Sequence, residues 1–381
     1  MRGFRSWRNL TRRRQSHNGC ALCRAKKKPF MVVVCTIMLY IACRTTYQHL
    51  HTKVAFTGLK GLPYGIIEAN SDLELKPLWS ASSSKLKANV PHPHNLLAMP
   101  VGLKQKQNVN TIVRKFLKEN FTIILFHYDG KMDEWWDLKW CNKAIHIVAE
   151  NQTKWWFAKR FLHPAAVSIY DYVFLWDEDL GVQHFNPKRY LDIVKAEGLE
   201  ISQPALDPNS TDIHHRITVR KRKNKFHRSL YDPKGSTKCS STSVGPPCNG
   251  FVEGMAPVFS RAAWHCAWHL IQNDLVHGWG MDMKLGYCAQ GLKNVGVVDN
   301  QFVLHQGLPT LGGPAAKKVS GDVNLAKTHR PHDMRSEIRR QSTAELEIFK
   351  QRWERAVEED TNWVDPFNKR KERQASPTFD S

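Results

Sequence analysis

The stretch Tyr172-Val-Phe-Leu-Trp-Asp-Glu-Asp179 combines a wholly apolar run with three consecutive carboxylates. An apolar run without polar alternation is typical of a strand that is covered on both faces of a sheet. In open α/β sheets, ligands bind beyond the carboxyl ends of the strands. Asp177, Glu178 and Asp179 are therefore expected at the ligand-binding edge of such a sheet.

Strand-like and helical patterns alternate on both sides of this stretch. The further strands are predicted at 121–127, 144–149 and 199–204, and the helices at 112–119, 156–167 and 187–196. Strands that alternate with helices and are apolar on both faces favour a mainly parallel sheet flanked by helices. The sequence therefore predicts an α/β fold.

The three carboxylates indicate a cation site. Negative charge concentrated at one sheet edge is unfavourable unless a cation compensates it, and hard carboxylate oxygens suit Mg²⁺ or Mn²⁺. The alternative interpretation is a helix N-cap cluster or a solvated turn.

Three motifs in this order resemble those of nucleotide-sugar glycosyltransferases with the GT-A fold. The first is the stretch 172–179. The second is an acceptor region made of Val252-Glu-Gly-Met-Ala-Pro257 and His277-Gly-Trp-Gly-Met-Asp282, and the third is Val303-Leu-His305. The resemblance implies that Asp177, Asp179 and His305 hold a divalent cation, Mn²⁺ or Mg²⁺, which grips the donor diphosphate. Residues 58–365 are also similar to a plant family of unknown function labelled lysine-ketoglutarate-reductase-trans-splicing-related, a label for which the residues offer no mechanism.

Glycosyl transfer needs a Lewis acid at the departing diphosphate and a base for the acceptor hydroxyl. Asp282 is the expected base of an inverting reaction with hexosyl or pentosyl transfer, and Glu253 is the second candidate. An N-cap role is the alternative for Asp282, and a satisfied core histidine is the alternative for His305. The remaining candidates are Trp279 and Gly280 for the acceptor, and Asp129, which a turn would also explain, and Glu178 for the donor.

The N-terminal region predicts a membrane anchor. Residues 1–29 are strongly basic without Asp or Glu, and residues 30–43 form an apolar run, although a bilayer span needs about 17–25 residues. The charge bias predicts a signal anchor, with the tail in the cytosol and the remainder in the lumen of a single-pass type II Golgi membrane protein. Residence in the endoplasmic reticulum, a cleaved signal peptide with secretion, and a buried soluble helix are the alternatives.

Two further features agree with a lumenal body. Asn120, Asn151 and Asn209 each begin an Asn-x-Ser/Thr triplet that could accept a glycan in the secretory pathway. Cys239 and Cys248 close a short Pro/Gly/Ser-rich loop and are the favoured disulfide pair, with buried thiols as the alternative.

Changes in amino-acid composition along the chain divide it into six predicted parts. The predicted parts are a basic tail (1–29), an anchor (30–43), a stem (44–105), a GT-A-like catalytic domain (106–320), a helical extension (321–365) and a basic, disordered tail (366–381). The net charge of +21 and the basic segment 216–238 are also typical of nucleic-acid binding, but in a lumen such a segment would meet diphosphates or anionic polysaccharides.

The predicted partners are a nucleotide-sugar donor and a glycan or small-molecule acceptor, with no nucleic acid. The alternatives are a glycosyltransferase-shaped protein that binds glycan or nucleotide without turnover, and a nucleic-acid-related regulator.

Overall fold

The computed structural model describes residues 31–45, 59, 61–67, 94–228, 239, 243, 245–289, 291–307 and 334–367. The chain divides into two compact units, Met1–Gly58 and Leu59–Ser381. In the first unit, residues 31–45 form an exposed helix. No helix in the described part of the chain combines the length and the apolar character that a membrane crossing requires. The predicted tail 1–29 and residues 368–381 lie outside the described residues.

The second unit is built on one eight-stranded sheet with the order β3-β2-β1-β4-β7-β6-β8-β5. The strands are β1 (Asn95–Val101), β2 (Phe121–His127), β3 (Ile145–Val148), β4 (Tyr172–Leu175), β5 (Leu180–Gly181), β6 (Ile201–Leu206), β7 (Val258–Ser260) and β8 (Val295–His305). Strands β1, β2, β3 and β4 are mutually parallel, as are β6 and β8, whereas β7 and β5 pair antiparallel with their neighbours. The predicted α/β fold with a mostly parallel sheet is confirmed.

The pairing directions bring six carboxyl ends to one edge. Because β7 is antiparallel to both β4 and β6, strands β1, β2, β3, β4, β6 and β8 all run the same way. The amino ends of β5 and β7 lie at that same edge. The order reverses between β1 and β4, which is the position where open α/β sheets leave a crevice for ligands.

Helices cover the sheet. The longer helices are α1 (Lys106–Phe116), α2 (Lys154–Phe161), α3 (Pro187–Ala196), α4 (Arg261–Leu270) and α5 (Met334–Glu359). Helix α3 begins at a favourable start signal, because the Asn186 side chain accepts the Arg189 N–H and Pro187 occupies the first turn. Helix α2 also begins with a side-chain N-cap, because the Thr153 hydroxyl accepts the Trp156 N–H at 3.3 Å.

The main core lies between the sheet and helices α1 and α3. Phe116 of α1 meets Phe174 and Trp176 edge to face, with ring centroids 5.5 and 5.3 Å apart, and all three side chains are fully buried. This geometry is the favourable one for aromatic pairs. The apolar half of the stretch 172–179 is thereby fixed in the core, and its carboxylate half projects at the edge.

The predicted boundary between stem and catalytic domain, at residue 105, is too late. Strand β1 lies within the predicted stem, yet it pairs with both β2 and β4 near the middle of the sheet. Pro100 and the prolines just before the strand make this stretch resemble a linker, because proline is rare in central strands. The pattern of residues could not show that Pro100 lies near the end of a strand rather than in a linker.

Candidate active site

The carboxyl edge of the sheet gathers several of the predicted site residues. Asp129 follows β2, the carboxylates 177–179 follow β4, Glu253 precedes β7 and His305 ends β8. Because β5 pairs with β8, Leu180 lies opposite His305, and Asp179 is brought beside the imidazole. Residues distant in sequence therefore form one polar cluster.

Glu178 joins three strand ends. Its Oε2 accepts the Gly102 N–H at 2.7 Å after β1, and its Oε1 accepts the Tyr128 hydroxyl after β2. Burial raises the pKa of Glu178 to about 8, although both hydrogen bonds oppose that rise. Both oxygens are thus engaged by the protein, so the side chain acts in this structure as a clamp between strands.

Asp129 also bonds to neighbouring backbone. Its Oδ2 accepts the Leu103 N–H at 2.7 Å, and its Oδ1 accepts the Lys131 N–H at 3.1 Å. The bond from Lys131 is that of a turn residue, the alternative interpretation of the Tyr-Asp-Gly sequence, whereas the bond from Leu103 joins two distant loops. They fix the two loops that border the crevice.

Asp177 pairs with Lys154, a lysine that no sequence motif marks. Lys154 Nζ at the start of α2 lies 2.6 Å from Asp177 Oδ1 and donates a second hydrogen bond to the Gly254 carbonyl at 2.5 Å. Burial raises the pKa of Asp177, while the Lys154 ammonium lowers it and limits the shift. The Lys154 ammonium therefore compensates the negative charge of Asp177 within the protein.

His305 connects Asp179 with a third group of polar residues. Its Nε2 lies 3.4 Å from Asp179 Oδ2, and its Nδ1 donates to the Asp212 carbonyl at 2.9 Å. Burial alone would lower the pKa of His305, but Asp179 and the other acceptors raise it to about 9. Beyond it, His214 Nε2 lies 3.4 Å from Asp212 Oδ2. Asp212 and His214 were not predicted, because no spacing rule relates a loop after β6 to the end of β8.

Glu253 is a buried carboxyl group of which one oxygen accepts a side-chain hydrogen bond and the other does not. Its Oε1 accepts the Thr218 hydroxyl at 2.8 Å, and its backbone N–H donates to Gln203 Oε1 at 2.5 Å. Its Oε2 is buried and has no hydrogen-bond partner among the residues that the structure describes. Burial raises the pKa of Glu253 to about 7, and the negative charge of Asp282 adds to the rise.

Asp282 begins a 3₁₀ helix, Asp282–Cys288. Its Oδ1 accepts the Met283 N–H at 2.9 Å, in partial agreement with the N-cap interpretation. Burial raises the pKa of Asp282 to about 6. Trp279, three residues earlier, is 46% exposed and offers an open ring face.

The segment 277–280 is shaped by glycines and held by helix α5. Gly280 has φ +88°, and a Cβ there would lie only 2.5 Å from Leu346 of α5. Glu345 of α5 accepts two hydrogen bonds from His277, from its N–H and its Nδ1, both at 2.8 Å. The α5 helix therefore positions the turn that carries Trp279. The sequence predicted this helix but not its contact with the site.

The cysteines form two disulfides, and one glycan acceptor, Asn209, lies in the loop after β6 that also carries Asp212. Cys239 and Cys248 form a disulfide, as the short loop suggested. A second disulfide, Cys266–Cys288, joins α4 to the end of the 3₁₀ helix that Asp282 begins. All three predicted glycan acceptors are exposed: Asn120, Asn151 and Asn209.

A family model described as "Protein of unknown function (DUF707)" matches residues 53–359. No curated protein matches the chain. One solved structure that resembles it is the apo form of the glycosyltransferase GlyE from Streptococcus pneumoniae TIGR4, at 11% identity and a TM-score of 0.23. The match covers 45% of this chain and 35% of that enzyme. A likeness this weak carries no argument about the reaction.

Proposed function

The chain belongs to the DUF707 family, and from the geometry of its site we propose that it is a GT-A-like, metal-dependent glycosyltransferase using a nucleotide-diphosphate sugar. The observation that carries the proposal is the approach of Asp179 and His305 to 3.4 Å at the carboxyl edge. That edge includes the switch point of the sheet, where nucleotides bind in open α/β folds.

The side chains at the edge fit a divalent cation. Because His305 Nδ1 donates to a backbone carbonyl, Nε2 is the ring nitrogen on the side of Asp179, and it could serve as a ligand once its proton has left. Carboxylate and imidazole donors together suit Mn²⁺. Asp179 and His305 would hold such an ion, whereas the charge of Asp177 is compensated by the Lys154 ammonium. The ion, when bound, would supply Lewis-acid stabilisation of the departing diphosphate.

The carboxyls with raised pKa values supply the base. In an inverting displacement, the acceptor oxygen bonds to the anomeric carbon while the bond to the diphosphate breaks, and the hydroxyl proton passes to a carboxylate. A base works best when its pKa lies near the working pH. The pKa values of about 6 for Asp282 and about 7 for Glu253 meet that condition. Trp279 offers a face on which the acceptor sugar would stack.

We propose the secretory pathway as the location, with the chain as a single-pass type II Golgi membrane protein anchored at 30–43. The basic tail and the apolar run support it. The disulfides Cys239–Cys248 and Cys266–Cys288 support it as well, since such bonds persist in oxidising compartments. Glycan on Asn120, Asn151 or Asn209, detected as a mobility change after glycosidase treatment, is the expected result.

The basic insert, residues 216–238, contains exposed basic side chains as well as two arginines that contact the protein itself; the exposed ones are Lys221, Arg222, Lys223 and Lys225. In the described part of the insert, Arg220 Nε donates to the Asp299 carbonyl and its guanidinium stacks 3.8 Å from the Phe302 ring. Arg228 Nε donates to the Lys293 carbonyl. These two side chains bind the protein itself rather than projecting as a patch for phosphates.

A binding protein without turnover is the second candidate. The Lys154–Asp177 ion pair favours it, because a fixed ammonium supplies positive charge without a metal. A panel of nucleotide sugars, incubated with the full chain and Mn²⁺ or with a chelator, separates the two functions. Mn²⁺-dependent release of nucleoside diphosphate from one donor is expected. Donor binding without release would favour the binding protein, and the absence of both would contradict the proposed enzyme.

A further inference from the structure

The basic insert contains a short exposed loop that carries only positive charges. Residues 221–225, the basic loop, include four basic side chains and no Asp or Glu. All four basic side chains are exposed. We propose that the basic loop binds the acceptor substrate, and that this acceptor is an anionic polysaccharide with carboxylates along its chain. The inference rests on the proposed function for the acceptor role, and on the charged surface alone for the binding.

Strand β8 holds both ends of the basic loop. The Lys221 N–H donates to Asp299 Oδ1 at 2.6 Å. At the other end, the Lys225 carbonyl accepts the N–H groups of Asp299 at 2.9 Å and of Asn300 at 3.2 Å. These contacts lie where the pairing of β8 with β6 is irregular. The loop is therefore fixed before a ligand arrives, which lowers the entropy that its backbone loses on binding.

The aspartate that anchors the basic loop does not neutralise it. Asp299 is fully buried, and its Oδ2 lies 2.9 Å from His227 Nδ1. His227 Nε2 donates to the Ile217 carbonyl at 2.8 Å, since a carbonyl only accepts. A proton must also lie between Nδ1 and Oδ2 for that contact to be attractive, so the His227–Asp299 pair is neutral as a unit. The positive charges of the loop therefore keep their full field toward solvent.

The basic loop begins beside the candidate active site. The Arg220 N–H donates at 2.9 Å to the carbonyl of Leu206, the last residue of β6. Two residues earlier, the Thr218 hydroxyl donates to Glu253 Oε1 at 2.8 Å. The three residues from Thr218 to Lys221 span at most about 11 Å. One extended polymer can therefore contact the basic loop and the carboxyl edge of the sheet together.

The side chains around the loop favour a polysaccharide over a nucleic acid or a membrane. Single-stranded nucleic acids stack their bases on aromatic rings. Phe226, beside the loop, is partly buried and has the Arg228 guanidinium over its ring at 4.4 Å. Membrane-binding surfaces gain affinity from buried apolar area as well as from charge, and residues 221–225 contain no apolar side chain. A carboxylated polysaccharide requires only the exposed cations that the loop presents.

The test is isothermal titration calorimetry of the full chain, without Mn²⁺, against polygalacturonate, which has a carboxylate on every sugar. Fully methyl-esterified polygalacturonate keeps the backbone without the charge and should not bind. The loop variant carries Lys221→Gln, Lys223→Gln and Lys225→Gln, and its Kd should be about 10-fold weaker, the effect of three exposed ion pairs. The matched control removes the same charge from exposed lysines outside the insert and should keep the parental Kd; it carries Lys118→Gln, Lys139→Gln and Lys188→Gln.

An unchanged Kd in the loop variant would overturn the inference, and so would a parent chain that does not bind polygalacturonate. Binding of single-stranded RNA or phosphatidylserine vesicles at least as tightly as polygalacturonate would also overturn it. Because the three loop lysines are exposed, the loop variant should keep the parental melting temperature. Sugar transfer is measured separately. Polymer binding without transfer from any donor would support the surface and contradict the enzyme, whereas transfer that the loop variant performs as well as the parent, without polymer binding, would do the reverse.

Discussion

Replacing Glu253 by glutamine should remove a pH dependence from the stability of the protein. Glu253 is 3% exposed, and burial raises its pKa from 4.5 to about 7. Because one pKa unit corresponds to about 1.4 kcal/mol, the protonated carboxyl is worth about 3 kcal/mol more to the folded state than the ionised one. The folded state holds the proton more tightly than the unfolded state. This contribution is therefore complete below pH 4.5, falls as the pH rises, and is lost above about pH 7.

The assay is urea unfolding of parent and Glu253→Gln at pH 5 and pH 8. The difference in unfolding free energy between parent and variant should be about 2 to 3 kcal/mol more favourable to the parent at pH 5 than at pH 8. Glu134→Gln makes the same substitution at an exposed glutamate and is the matched control. If the Glu253 variant behaved like this control, the carboxyl would not be buried as described, and its suitability as a base near neutral pH would be refuted.

Three further substitutions test the site. Asp282→Asn should lower turnover about 10²-fold or more, with donor affinity little changed, and parental turnover would remove Asp282 from the mechanism. Glu345→Ala should lower the unfolding free energy by about 1 to 2 kcal/mol and reduce turnover, because His277 loses two hydrogen bonds; an unchanged melting temperature would contradict that positioning role. Lys154→Met should lower the unfolding free energy, measured with urea, by about 2 kcal/mol. This loss is smaller than for a fully buried ion pair because the Asp177 side chain is 33% exposed. Unaltered stability would mean that the pair is solvated.

The local sequence predicts strands well where apolar runs are bounded by turn residues. The prediction for β2 matches its observed bounds, and that for α3 matches as well, since Asn186 and Pro187 mark its start. Strand β1 was assigned to the stem because its prolines resemble a linker. Its place in the sheet depends on pairing with β2 and β4, which is a long-range property.

In the site, too, residues that are close in sequence could be predicted and residues brought together by the fold could not. The carboxylates 177–179 were predicted because one strand presents them together. Lys154, Asp212 and His214 were missed, since each reaches the site from its own loop or helix and only the folded sheet brings them near. The two hydrogen bonds of Glu178, to Gly102 and Tyr128, were likewise not predicted, because they join the ends of three strands.

The most direct test of the proposed function is the thermal stability of the full chain with nucleoside diphosphate, with and without Mn²⁺. UDP and GDP are the probes, and Asp179→Asn is the comparison because it keeps the shape of the side chain and removes its charge. A ligand at about 100 times its Kd stabilises the protein that binds it by about 2.7 kcal/mol. Mn²⁺ with UDP or GDP should raise the melting temperature of the parent, whereas neither component alone nor the variant should match that rise. An equal rise in parent and variant, or no rise with either nucleotide, would contradict a metal-dependent nucleotide site at this edge.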